Sequence, residues 1–166
     1  MRKRIIAPVQ RQNPTVDQDW LNLEELAEVE ITSEDAAGPI ESALLPDGRL
    51  GWRAAGPGEQ TIRLVFANPQ HLQRIWLSFV ETDTERTQEY VLRWSPDGGK
   101  SFQEIVRQQW NFSPQGATRE TEDHHVDLAA VTVLELSIIP DTTGSEAIAS
   151  LAQLRLASGA DCQDPG

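Results

Sequence analysis

The sequence predicts an all-β fold, an antiparallel β-sandwich with a short N-terminal arm and one helical turn, and three observations carry that expectation. From Glu30 almost to the C-terminal end, apolar and polar residues alternate at period two. Between the alternating runs stand turn-forming words, of which Ser95-Pro96-Asp97-Gly98-Gly99 is the strongest. Helical spacing is confined to one stretch near the start. Several short strands with one apolar face each need a second sheet to cover them, which makes a sandwich.

Residues 1 to about 19 carry two prolines and no sustained periodicity, so they read as an extended arm. In "DWLNLEELAEVEI", Asp19 is a candidate N-cap, and Leu23, Leu26 and Ala27 fall at helical spacing. One or two turns of helix are expected there, which places the boundary of the sandwich at residues 28 and 29. In "TIRLVFA", Ile62, Leu64 and Phe66 share one face and Thr61, Arg63 and Val65 the other. "RIWLSFV" sets Ile75, Leu77 and Phe79 against Trp76, Ser78 and Val80, and the intervening "NPQHLQ" reads as a turn between neighbouring strands. "EYVLRW" directs Tyr90, Leu92 and Trp94 inward, and Gly98 and Gly99 supply the positive φ for a hairpin back into "FQEIVRQ". "VTVLELSII" alternates Leu134, Leu136 and Ile138 against Glu135 and Ser137. A closing strand "AIASLAQLRLA" groups Ile148, Ala152, Leu154 and Leu156. Residues 159–166 read as a disordered tail. Trp52 and Trp94 are expected in the core.

At 166 residues the chain has the size of one domain. Its 26 acidic and 14 basic residues give a formal charge of −12, which argues against a nucleic-acid backbone and an anionic membrane surface. Cys162 is the single cysteine, so no intrachain disulfide can form. The segment after the basic Arg2-Lys3-Arg4 has no apolar run of signal-peptide length, and no window approaches the roughly 18 apolar residues of a membrane span. A cytoplasmic location is the simplest expectation from these features.

No catalytic constellation emerges. "EDHH" (Glu122 to His125) sets imidazoles beside carboxylates, but neighbours on a strand point to opposite faces, so His124 and His125 do not share an ion. Spacing i, i+2 joins Asp123 to His125, or His125 to Asp127, with no third ligand. The plain alternative is a polar strand edge that enters the core at Val126 and Leu128. No G-x-S-x-G elbow occurs, and "AAGPGEQ" lacks the Lys-Ser/Thr and helix of a phosphate loop. The chain is therefore expected not to be an enzyme.

The order of words along residues 29–157 resembles the coagulation-factor type C, or discoidin, family. "VEITSEDAAGPIESALLPDGRLGWRAAGPGEQTIRLVF" is similar to its opening, "NPQHLQRIWL" to its second strand, "YVLRWSPDGGKSFQEIV" to its hairpin, and "ASLAQLRL" to its closing strand. The stretch "RQQWNFSPQGATRE" points toward an uncharacterised bacterial branch. The resemblance implies a jelly-roll, galactose-binding-domain-like sandwich over residues 29–158, acting as a non-catalytic binding module. Its ligands dock on loops at one end, and carbohydrate is the first class to expect; a cytoplasmic protein–protein interaction or assembly domain is the alternative.

Sugar recognition asks for an aromatic face and planar hydrogen-bonding groups. Trp110, Asn111, Phe112 and Gln115 offer these as the chain leaves a strand, with Arg119 after them and Arg86 in the polar stretch "ETDTERTQE". The plainer reading of the two aromatics is a plug at the open end of the core, and Arg119 and Glu120 equally suit a loop salt bridge. No cofactor is expected beyond the structural calcium that the resemblance implies through Asp47 of Leu45-Pro46-Asp47-Gly48. Gln153 stands where relatives carry Glu and offers calcium only a neutral carbonyl. The cysteine pair of the secreted relatives is missing.

Overall fold

The computed structural model describes residues 20–45 and 51–158. The expected arm, the Asp19 cap, the Asp47 loop, Cys162 and the tail lie outside the described residues. Within them the order is α1 (Leu23–Leu26), β1 (Ala27–Ile31), α2 (Glu41–Leu44), β2 (Trp52–Pro57), β3 (Gln60–Val80), β4 (Arg86–Ser95), β5 (Gln103–Phe112), β6 (Arg119–Ile139), β7 (Ile148–Leu151) and β8 (Gln153–Ala157). Helix α1 is a single turn. Asn22 caps it, its side-chain oxygen accepting from the Glu24 N–H at 3.1 Å, and Ala27 is already extended.

The main sheet runs β1-β3-β6-β4-β5 with β8 added on β3, and every pairing is antiparallel. A second, two-stranded sheet joins β2 to β7. Strands β3 and β6 are each 21 residues long and serve both layers of the sandwich. Their outer parts, from Gln60↔Ile138 to Val65↔Val133, lie between β1 and β4. Along their inner parts, from Arg74↔His125 to Val80↔Arg119, β3 takes β8 as its other neighbour. The register slips between Val65 and Gln70, between Gln70 and Leu72, and between Leu72 and Arg74. Extra residues on one strand of a pair bend it and sharpen its twist, which lets a strand pass from one layer into the other. "NPQHLQ" is thus a bulged bend inside β3 and not the turn between two strands that its Asn-Pro pair suggests.

Alternation sets the core. Ile62, Leu64, Phe66, Ile75, Leu77 and Phe79 of β3 are all buried, as are Tyr90 and Leu92 of β4 and Leu134, Leu136 and Ile138 of β6. Phe79 and Tyr90 meet across the layers, ring centroids 5.2 Å apart. Trp52 is buried and donates its indole N–H to the Ser33 carbonyl at 3.0 Å, whereas Trp94 is half-buried against the core. The closing segment is two strands: β7 pairs with β2, β8 pairs with β3, and Ala152 between them donates to the Ser78 carbonyl. Gly51 passes this junction with φ 78°, and a Cβ there would stand 2.5 Å from the Leu151 carbonyl oxygen, so no larger residue fits.

Phe79→Ala removes a ring that fills the space between the layers, where little room exists for collapse. The expected loss is about 3–5 kcal/mol of unfolding free energy, read from urea denaturation. A loss below about 1 kcal/mol would show that the layers do not pack through this residue.

Candidate functional site

One end of the sandwich gathers the start of β4, the end of β5 and the end of β6. The ladders place Arg86 beside Phe112 and Glu89 beside Ile139. A cavity of about 420 Å³ opens there, lined by Glu85, Arg86, Thr87, Asn111, Phe112, Ser113, Asp141 and Thr143. Its base is built around Arg86. The Arg86 side chain is 1% exposed; Nε donates to Glu81 Oε1 at 2.8 Å, and Nη1 donates to the Pro140 carbonyl at 2.6 Å and to Gln88 Oε1 at 3.2 Å. The guanidinium carbon lies 4.9 Å from the Phe112 ring centroid, a cation–π contact. Burial pulls the Glu81 carboxyl upward, but the Asp83 N–H and the Arg86 guanidinium hold it below the usual range, so it stays ionised.

The rim is polar and tied to the strands. Thr87 Oγ1 donates to Asn111 Oδ1 at 2.7 Å, which leaves the exposed Asn111 amide NH₂ to donate elsewhere. The Thr142 N–H donates to the Thr87 carbonyl at 2.8 Å and fastens the segment after β6 onto β4. Asp141 accepts from the Thr143 N–H and hydroxyl and from the Ser145 hydroxyl at 2.7 Å. The Ser145 bond, with those of Thr143, keeps this carboxyl below its ordinary range despite partial burial.

Of the residues the sequence singles out, Arg86, Asn111 and Phe112 come together at this cavity, and Trp110, Gln115 and Arg119 do not line it. Trp110 and Phe112 belong to β5 and not to a loop. Their i, i+2 spacing turns both toward the interior, where Phe112 is fully buried and Trp110 is half-buried against the core. The face of Phe112 is taken by Arg86, so this ring is not presented as a flat platform. Gln115 is exposed on the turn at 113–116, which Gly116 closes by donating to the Ser113 carbonyl. Arg119 begins β6 and donates to Ser78 Oγ at 3.0 Å rather than bridging to Glu120. Sequence reasoning missed Thr87, Asp141 and Thr143, whose contribution depends on which strand ends meet. The signal within reach was the turn word Asp141-Thr142-Thr143-Gly144.

Asp47 lies outside the described residues, and the described residues nearby do not make a calcium site. Gln153 on β8 has no charge to offer. Buried Arg155, on the same strand, already places a guanidinium against the carbonyls of Ala43 and Leu45 at 2.9 and 3.1 Å, where a divalent ion would be repelled. Among the described residues no group of three His, Cys, Asp or Glu could hold a metal ion, and no helix is long and apolar enough to cross a membrane.

No family model matches the sequence, and no curated protein matches it. Solved structures do. The module CpGH89CBM32-5 from Clostridium perfringens, in complex with GalNAc-β-1,3-galactose, superposes with a TM-score of 0.61 at 18% identity, covering 84% of this chain and 100% of that one. The chain has the galactose-binding-like, discoidin-type fold. The family 32 carbohydrate-binding module of NanJ from C. perfringens, in complex with galactose, gives 0.60 at 16% identity over 82% of this chain and 96% of that one. The corresponding module of AlyQ, in complex with 4,5-unsaturated mannuronic acid, gives 0.57 at 16% over 80% and 95%.

Beneath the same end, this discoidin-type sandwich buries an acidic stripe. Alternation on β6 turns Glu120, Glu122 and His124 inward, while Asp123 and His125 face solvent. His124 Nε2 lies 2.8 Å from the Tyr90 hydroxyl. Burial lowers the His124 pKa, so its ring is neutral near pH 7. Asp123 is bidentate with Arg74 at 2.8 Å and sits 3.7 Å from His125 Nε2. Glu120 is 1% exposed and neither of its oxygens meets a donor from another residue. Burial first, and then the charge of Glu122 and the hydrogen bond that a protonated Glu120 shares with it, push its carboxyl up to about 8. The folded protein therefore keeps a proton that the unfolded chain releases near pH 4.5. Unfolding then releases a proton between that pH and about 8, so stability falls as pH rises through this window. Glu120→Gln should raise the Tm at pH 8.5 by several degrees, change it little at pH 4.5, and flatten the Tm–pH profile between. An unchanged slope in the variant would place the proton elsewhere.

Proposed function

We propose that the chain is a non-catalytic carbohydrate-binding module whose ligand sits in the cavity at the β4–β5–β6 end. The observation that carries this reading is the arrangement around that cavity of Thr87, Asn111 and Ser113 at strand ends and Thr143 in the turn after β6, which Thr142 fastens to Thr87. Sugar hydroxyls donate and accept, and the groups around the cavity do both: amide N–H and hydroxyls as donors, the Glu85 carboxylate and hydroxyl oxygens as acceptors. Rigid strand ends lower the entropy lost on binding. The solved neighbours that carry galactose-containing and uronic sugars lend support from the same fold.

Arg86 is a positioning residue in this reading. Its hydrogen bonds hold the Glu81 turn, the Pro140 carbonyl and the Phe112 ring in fixed relation beneath the ligand. Affinity then rests on hydrogen bonds, since the ring at the base is covered. Millimolar dissociation constants are the expected scale, and heat release is a better readout than tryptophan quenching.

Titration calorimetry against a monosaccharide panel tests the site. Asn111→Ala should weaken the best ligand by about tenfold, because a polar contact is left unmade. Gln115→Ala, on the exposed turn outside the cavity, should leave the affinity within twofold of the parent. Equal affinities for the Asn111 variant and the parent would move the ligand away from this end.

A further inference from the structure

The fold leaves the class of sugar open, because neighbours of similar likeness carry neutral and uronic sugars alike. The side chains around the cavity do not. Resting on the carbohydrate reading above, we infer that this site takes a neutral sugar ring and rejects uronic acids, with Glu85 as a residue that sets the choice.

The inference follows from which charges the ligand meets. Arg86 is the one cationic residue in the cavity wall, and it is not available to a carboxylate. Glu81 neutralises it, the Pro140 carbonyl and Gln88 occupy Nη1, and the Phe112 ring covers one face. Its Nη2 has no hydrogen-bond partner but is buried out of contact with solvent. Against this sealed cation stand two further carboxylates in the wall. Glu85 is exposed, and Asp141 is held ionised by Ser145 and Thr143. Glu81, Glu85 and Asp141 against Arg86 leave an excess of negative charge around the cavity. The chain's formal charge of −12 adds a field of the same sign. An incoming uronate would lose water from its carboxylate and find no guanidinium or ammonium to replace it. Specificity of this kind comes from a repulsive element rather than from an added contact. A neutral ring meets no such penalty: the Asn111 amide and the Ser113 and Thr143 hydroxyls match its own hydroxyls, and carboxylates are strong acceptors for them.

The test uses the full chain and three matched pairs that differ at C6 by a hydroxymethyl or a carboxylate: galactose and galacturonate, glucose and glucuronate, mannose and mannuronate. Affinities are measured by calorimetry in 20 mM salt. In whichever pair binds, the neutral member should bind about tenfold tighter or more. The gap should narrow in 0.5 M salt, which screens the repulsion. Glu85→Lys should narrow or reverse it, chiefly by raising uronate affinity. A uronate that binds as tightly as its neutral partner in low salt overturns the charge argument alone. Silence from all six sugars overturns the carbohydrate reading and this inference with it.

Discussion

Two antiparallel strands, β3 and β6, carry this molecule. Along one part of their length they take β1 and β4 as outer neighbours, and along the other β3 takes β8, so the ladder between them is the frame on which both layers hang. A flat ladder of that length would hold one sheet. The register slips between Val65 and Arg74 let it fold over, and the fold brings Phe79 of one layer against Tyr90 of the other. Burial of Ile62, Leu64, Ile75 and Leu77 on the inner side then follows from period two alone, because the alternation resumes in phase with the core after the bend.

The same frame brings the ends of β4, β5 and β6 together, and there the chain places polar groups rather than a hydrophobic seal. Arg86 resolves the conflict that this creates. A guanidinium nearly removed from solvent would be costly alone, but Glu81, Gln88, the Pro140 carbonyl and the Phe112 ring share its charge and its N–H groups. The result is a rigid polar base beneath an open cavity. On β8, Arg155 performs a related task with carbonyl groups, reaching the Ala43 carbonyl of α2 and the Leu45 carbonyl that follows it. Glu120, by contrast, is buried without such partners, and the folded state carries that cost as a held proton.

Legibility varied with the range of the interaction that decides each feature. The inward faces of β3, β4 and β6 were readable because side-chain direction in a strand is a local property. The hairpin at Ser95 was readable because Gly98 and Gly99 adopt φ of 76° and 96°, which few other residues tolerate. The bend at "NPQHLQ" was misread as a turn: a bulge and a turn draw on the same residues, and pairing partners far away in β6 tell them apart. The Trp110-Asn111-Phe112 segment was misread as a loop because the end of β5 depends on how far β4 extends opposite it. Of the cavity, Arg86 and Asn111 were legible as exposed-looking polar residues. Thr87 carries no local mark, and the turn word at Asp141-Thr142-Thr143-Gly144 marks a turn without saying which strand ends it meets.

By itself, then, the sequence determined the strand faces, the hairpin and the ordered words of a galactose-binding-like sandwich, because these depend on neighbours a few residues apart. Tertiary structure decided that Phe112 is core and Asn111 is rim, that Arg86 is sealed by Glu81 and the Pro140 carbonyl, and that Glu120 turns inward beside Glu122 without a cation. Each of those outcomes depends on which strand ends meet across the two layers. That meeting is set by the β3–β6 ladder, whose partners are separated by up to 78 positions, as Gln60 and Ile138 are.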